Sequence, residues 1–385
     1  MRFMLKKTTV INVRIPKAIK NIFDSVGIVV NGSNPWDIQV FDSRTFDLIL
    51  TKWSLGLGEG YMHGYWDCHD LEEFLYRLLK DDHNERVHGI AKLSLIYEIL
   101  RAKIMNLQKK SRAFMVGESH YDVGQDIFSA MLDKDMNYSC GYWQYAQDLD
   151  KAQLDKMELI CQKLKLDPGD RLLEIGCGWG GFARYAAQNY GVKVLGITIS
   201  KEQFLIAKGR CQNLDVEIRL CDYRDLDGEF DKIVSIGMFE HVGEKNYEEY
   251  FGVASRLLKD DGIFLLHTIG SDVTTLRTDP WIEKYIFPNG KIPSVSEIGA
   301  AFEGRLILED LHNLGPDYEV TLLAWHEKFI ESWPKYADKY GPVFYRMWRY
   351  YLLGCAAYFK SKQGQLWQMV YTKRSFPGVY RSIRM

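Results

Sequence analysis

From about residue 151 the chain alternates short apolar runs with amphipathic segments. Apolar runs at residues 171–175, 192–198, 216–221, 231–237 and 262–268 predict five strands. Residues 182–189, 201–211 and 247–258, between them, predict helices. Strands and helices alternating at this spacing imply right-handed βαβ crossovers and a parallel sheet. The strand runs are continuously apolar, as expected when helices cover both faces. Residues 305–311 and 366–371 predict two more strands, with a long helical region, 318–359, between them. The fold class is therefore α/β, a Rossmann-like doubly wound sheet, whose ligands bind at the carboxyl ends of the strands.

Residues 1–120 have another texture. Helical periods appear at 71–80 and 90–107, and Gly56, Gly58, Gly60 and Gly64 read as glycine-rich punctuation. The chain divides into a smaller, mainly helical N-terminal domain, 1–120, and a catalytic domain, 121–385. Leu93, Ile96, Leu100, Ile104 and Leu107 recur at helical spacing beside Arg101, Lys103, Lys109, Lys110 and Arg112, a basic run without acids. Such a helix suits an anionic lipid surface. It equally suits a core helix with a solvated basic face.

Composition narrows the class. A length of 385 residues with 46% hydrophobic and 26% charged residues is globular and long enough for two domains. A net charge of -2 gives no global field toward nucleic acid, so no nucleic-acid partner is expected. The 7 cysteines are odd in number and form no C-x-x-C pair, which argues against a zinc ribbon or a disulfide framework. No metal site is expected, and reduced thiols fit a cytoplasmic location. No apolar run follows the basic residues of the N-terminus, so no secretory signal is read there. The longest apolar stretch, residues 350–359, is too short to span a bilayer.

The first predicted strand runs into Glu174-Ile175-Gly176-Cys177-Gly178-Trp179-Gly180-Gly181 and then a helix. Glycines allow a sharp turn and close ligand approach, and a helix N-terminus offers free N–H groups. Gly176, Gly178 and Gly181 also satisfy the G-x-G-x-x-G spacing of dinucleotide enzymes. Glu174, two residues ahead of the glycines, matches the acidic position of class I S-adenosylmethionine methyltransferase loops. Asp222 ends the third strand, where that fold places an acid facing adenine. The second strand ends Thr198-Ile199-Ser200 without the usual ribose-binding acid, and Glu202 nearby could serve a dinucleotide ribose. The loop by itself leaves both nucleotides open.

Residues beyond the loop decide between them. Tyr138-Ser139-Cys140-Gly141-Tyr142-Trp143, Thr198-Ile199-Ser200 with Gln203, Gly237-Met238-Phe239-Glu240-His241-Val242-Gly243 and Leu266-His267-Thr268-Ile269-Gly270 form one set. Asp279-Pro280-Trp281-Ile282, Tyr285-Ile286-Phe287-Pro288-Asn289-Gly290 and Gly315-Pro316-Asp317-Tyr318 extend it. Together they resemble the cyclopropane-fatty-acyl-phospholipid synthase family over residues 55–369, in its longer bacterial form with an extra N-terminal domain. Thr198 and Gln203 in place of the ribose acid are that family's own pattern, so the dinucleotide alternative loses its support.

The resemblance implies a class I methyltransferase fold that uses S-adenosylmethionine to add a methylene across a cis double bond of an unsaturated membrane phospholipid. The alkene takes the methyl, a base removes a proton from it, and the ring closes. In this family bicarbonate is the base, held at positions that match Cys140, Glu240, His267, Tyr318 and the backbone of Ile269. A cysteine at the position of Cys355 has been counted with the active site. An apolar helix makes a thiol a poor nucleophile, and a thiolate would trap the cation. The cofactor positions correspond to Tyr138, Ser139, Glu174, Gly176, Gly178, Gly180, Thr198, Ser200, Gln203, Asp222, Tyr223 and Arg224. Each has a plain packing alternative: Cys140 as a small buried hydrophobe, Tyr318 as the start of a helix, and His241 as a capping or packing residue facing away from Glu240. The 10 Trp, 23 Tyr and 19 Phe are mostly core, though aromatic faces can stabilise a cation.

The resemblance further implies a homodimer and peripheral contact with the inner membrane surface. Two other functions fit the same residues. One is methyl transfer to a soluble small molecule; the other is a non-catalytic lipid-binding protein with a vestigial nucleotide fold.

Overall fold

The computed structural model describes residues 9–80, 124–275 and 277–384. The amphipathic basic segment anticipated across residues 90–112 lies outside them. The N-terminal part comprises α1 (Lys17–Ser25), β1 (Gln39–Val40), α2 (Arg44–Met62), β2 (Trp66–Asp67) and α3 (Leu71–Lys80). Next come α4 (Gln125–Met131) and α5 (Leu149–Leu164). Then follow β3 (Arg171–Ile175), α6 (Gly181–Tyr190), β4 (Lys193–Thr198), α7 (Lys201–Arg210), β5 (Val216–Leu220), β6 (Phe230–Ile236), α8 (Tyr247–Leu257) and β7 (Leu258–Ser271). The chain ends with α9 (Pro280–Tyr285), α10 (Val295–Phe302), β8 (Ile307–Asn313), α11 (Gly315–Ser332), α12 (Ala337–Lys360) and β9 (Gly364–Thr372).

Seven strands form one sheet in the order β5-β4-β3-β6-β7-β9-β8. β3 to β7 pair in parallel, as their apolar runs predict, and β9 inserts antiparallel between β7 and β8. Alternate residues feed two cores. Leu173, Ile175, Ile233 and Phe264 pack on one face, and Leu172, Val194, Val234 and Leu265 on the other. Strand order reverses between β3 and β6, so the crevice at their carboxyl ends is the expected binding edge.

The helical region expected at 318–359 is two helices. Pro334 lacks an N–H, and a short 3₁₀ turn, Trp333–Lys335, takes over the chain there. α12 bends again at Gly341 (φ 73°), just before Pro342. The glycines at 56, 58 and 60 are not punctuation; they sit inside α2. A Cβ on Gly58 would lie 2.3 Å from the Trp281 ring, so the glycine lets α2 pack closely against α9. Ile19, Phe23, Phe46, Trp66 and Phe74 thus share one core with Trp281, Trp325, Trp348 and Phe359. Arg346 of α12 fastens that contact, donating to Tyr61 O, Trp66 O (2.9 Å) and Asp67 (2.9 Å).

Candidate active site

The loop after β3 turns through three glycines with positive φ: Gly176 (85°), Gly178 (52°) and Gly180 (81°). Other residues rarely adopt these angles. The N–H groups of Gly176 and Cys177 both donate to Ile197 O, at 3.0 and 2.9 Å, which ties the loop to β4. A Cβ on Gly178 would meet no protein atom within 4 Å; that space belongs to the cavity. Gly180 differs. Its missing Cβ faces Ala207 and Cys211, so it serves the packing of α7 against the loop. Glu174 is 3% exposed, accepts the Ala183 N–H at the start of α6, and leaves Oε2 without a partner among the described residues. Burial pushes its carboxyl up to about 8.

The next two strand ends are closed networks. Thr198 Oγ1 donates to Gln203 Oε1 (2.8 Å) and accepts from Ser200 N (3.1 Å). Ser200 caps α7 by accepting from Gln203 N at 3.3 Å. Asp222 accepts from Arg224 three times, from N, Nε and Nη2, at 3.0, 2.8 and 2.7 Å. That clamp fixes the short turn Tyr223–Asp225 at the cavity wall.

The ends of β6 and β7 differ in kind. Glu240 Oε1 accepts from Ile269 N at 2.7 Å. Oε2 is buried and makes no well-formed hydrogen bond among the described residues, with the Thr268 hydroxyl close by but donating to Ile269 O at 3.1 Å. Burial pushes this carboxyl up to about 7. His267 is fully buried on β7, and burial holds its imidazole well below its usual range, so the ring is neutral. Gln368 Nε2 lies 3.3 Å from His267 Nδ1; with the amide donating, the ring proton sits on Nε2, an atom with no partner among the described residues. Tyr318 opens α11 beside Cys140, Tyr138, Glu240 and Cys355, and burial keeps its hydroxyl protonated. Cys140 is fully buried against Leu314 O (3.8 Å) and Thr321 Oγ1 (4.0 Å). Burial pushes its thiol well up, and that of Cys355 to about 12. Tyr138 hydrogen bonds Tyr351 hydroxyl to hydroxyl at 2.6 Å.

One cavity of about 760 Å³ gathers these groups. Every residue singled out from the sequence as catalytic or cofactor-binding lines it, except Gly180. His241 lines it too, against the expectation that it faces away, with its ring 6.0 Å from that of Phe287. Phe239–His241 is a 3₁₀ turn, so successive side chains diverge by a third of a turn and not by half. The far wall is apolar: Ile19 and Phe23 from α1, Trp53 and Leu57 from α2, Leu75 and Leu78 from α3. Lys156 of α5 also lines the cavity and was not anticipated. Its sequence signal is a lysine set in the buried stripe of an amphipathic helix, beside Gln153, Met157 and Ile160.

A parallel sheet with one antiparallel strand inserted near its edge, and a glycine loop at the first strand end, defines a class I S-adenosylmethionine-dependent methyltransferase fold. The family described as mycolic acid cyclopropane synthetase matches residues 108–369, and the chain belongs to it. Cyclopropane-fatty-acyl-phospholipid synthase of Escherichia coli K12 is 50% identical over 364 residues, 94% of each chain. The cyclopropane synthase MmaA2 from Mycobacterium tuberculosis has a similar structure, with TM-score 0.64 and 31% identity over 68% of this chain and 98% of that one. Mycolic acid cyclopropane synthase CmaA1, complexed with SAH and CTAB, gives TM-score 0.63 and 32% identity at the same coverage. The family match leaves the described residues 9–80, with α1 to α3, outside it.

Proposed function

We propose that the chain transfers a methylene from S-adenosylmethionine to the cis double bond of unsaturated acyl chains in membrane phospholipids, forming cyclopropane fatty acyl chains. The observation that carries this is the single cavity. The nucleotide loop, apolar residues of α1 to α3 and a buried polar cluster all line it. S-adenosylmethionine supplies the electrophilic methyl group. Gly176, Gly178 and Glu174 hold it at the loop, and Thr198, Ser200, Gln203, Asp222, Tyr223 and Arg224 frame the nucleoside. A soluble methyl acceptor has no need of the aliphatic wall that α1 to α3 provide. We take residues 1–120 as the unit that receives the lipid.

Bicarbonate fits the polar cluster. Glu240 Oε2 and His267 Nε2 are buried polar atoms without hydrogen-bond partners among the described residues, and such atoms carry a cost unless a ligand meets them. Bicarbonate supplies a weak base at the site. Glu240, His267 and Tyr318 are the residues that would hold it, with Cys140 and the Ile269 backbone beside them. A protein carboxylate in that place could add to the cation; a small anion held on all sides is restrained from doing so.

No described helix is long and apolar enough to cross a membrane. We take the lipid to be met at the inner membrane face, by a homodimer. Light scattering at twice the chain mass checks the dimer. Lipid mass spectrometry after expression in a host lacking cyclopropane lipids tests the reaction. A gain of one CH₂ per unsaturated chain is expected; unaltered lipids with soluble, S-adenosylmethionine-binding protein would refute it.

A further inference from the structure

One charged side chain on the cavity wall has no part in the chemistry above. Lys156, on the inner face of α5, is 1% exposed. Among the described residues its ammonium makes a single hydrogen bond, to Ser139 Oγ at 2.9 Å. An ammonium has three donors. Leaving a charge buried with two of them unused is costly, unless something else meets them. Two acids lie within electrostatic reach, Asp133 and Glu174. The Asp133 carboxylate is taken by Asn137 N (2.7 Å), Asn137 Nδ2 (2.9 Å) and Asp135 N (2.9 Å). Glu174 lines the cavity, its Oε2 without a partner among the described residues.

Ser139 is fixed from two sides by α5. Gln153 Nε2 donates to its carbonyl at 2.7 Å, and Lys156 donates to its hydroxyl oxygen. A Cβ added at Gly237, just past the end of β6, would lie 3.9 Å from its Cβ. A serine hydroxyl has one hydrogen. With Lys156 donating into Oγ, that hydrogen is free to be given to an acceptor in the cavity that Ser139 lines. The wall beside the glycine loop thus presents a hydroxyl donor and ammonium donors next to a carboxyl acceptor. That pattern is complementary to an α-amino acid, with its ammonium on Glu174 and its carboxylate on Ser139 and Lys156.

We propose that Lys156 is a positioning residue for the methyl donor: it orients Ser139 and supplies the positive charge that holds the carboxylate of the methionine part. This rests on the S-adenosylmethionine reading above. If Lys156 served only to neutralise Glu174 within the fold, it would not distinguish ligands by their carboxylate.

Calorimetric titration of the full chain with S-adenosylhomocysteine and with its decarboxylated analogue, which lacks only the carboxylate, separates these roles. The wild type is expected to prefer S-adenosylhomocysteine by about tenfold or more, the worth of a charge-assisted hydrogen bond. Lys156→Met should remove that preference while affinity for the decarboxylated analogue stays within about threefold. Lys156→Gln, which keeps a donor for Ser139 without the charge, is the second variant should the first not fold, and is expected to lose most of the preference. A preference retained in the variant, or both ligands weakened equally, overturns the proposal. A wild type that binds both ligands equally also overturns it and leaves the cofactor reading standing. A wild type that binds neither refutes that reading, and the proposal with it.

Discussion

The two strand-end regions of the cavity are built on opposite principles. At β4 and β5, Thr198, Ser200, Gln203, Asp222 and Arg224 satisfy one another before any ligand arrives. At β6 and β7, Glu240 and His267 each keep a buried polar atom with no hydrogen-bond partner among the described residues. A closed network is rigid and shapes a pocket at little cost to the fold. Groups left open at depth cost stability and are retained where a ligand completes them. The nucleotide frame is thus set in advance, and the reacting centre is finished by what it binds.

Substitutions at each region should therefore fail differently. The largest effect is expected at the open centre. Glu240→Ala should lower turnover about 100-fold or more, the usual worth of a positioned acid–base group, with S-adenosylmethionine affinity nearly unchanged. Steady-state kinetics beside calorimetry separates the two; an equal loss in both would merge the regions. Gly178→Val comes next. A β-branched residue at φ 52° is strained and its side chain would occupy ligand space, so binding should weaken about 10- to 100-fold in a protein that still folds. Unchanged affinity would remove the loop from the site.

Stability gives a third contrast. The folded pKa of Glu240 is raised, from 4.5 to about 7. The folded state holds this proton longer than the unfolded chain does. The associated stability is present below about 4.5 and is lost as pH rises through about 7. Glu240→Gln removes that loss. At pH 8 it should raise the unfolding temperature by about 2–4 °C while turnover falls, measurable by calorimetry. A lower unfolding temperature would mean that the carboxylate supports the fold. The smallest effect is expected at Cys355. Burial holds its thiol up to about 12, so it stays neutral, and Cys355→Ala should lower turnover by no more than about threefold. A loss comparable to that of Glu240→Ala would bring the thiol into the chemistry.

The same contrast governs how much was legible in the sequence. The sheet was readable because β3, β4, β6 and β7 are largely apolar runs, while β5, at the sheet edge, alternates with the exposed Glu217 and Arg219. Glu240 follows the β6 end that periodicity locates, whereas His267 lies inside β7, which runs on to Ser271. The insertion of β9 between β7 and β8 was not readable, since pairing of distant segments leaves no local pattern. Nor was the role of Gly58, where the missing side chain matters only because Trp281 arrives from far along the chain. Within the site, the order of Cys140, Glu240, His267 and Tyr318 was visible through a family resemblance. Lys156 escaped because a lysine in an amphipathic helix ordinarily faces water, an expectation that outweighs the one signal against it, its place in the apolar stripe of α5.

The central claim is that the open centre is completed by a small anion. The direct test is the initial rate of methylene transfer to vesicles of unsaturated phospholipid, first in buffer strictly depleted of bicarbonate and then with bicarbonate restored. A wild-type rate that falls on depletion and recovers on addition, with Glu240→Ala responding poorly, is the predicted result. A wild-type rate indifferent to depletion, with weak affinity for the anion, would contradict the account and make a protein side chain the base.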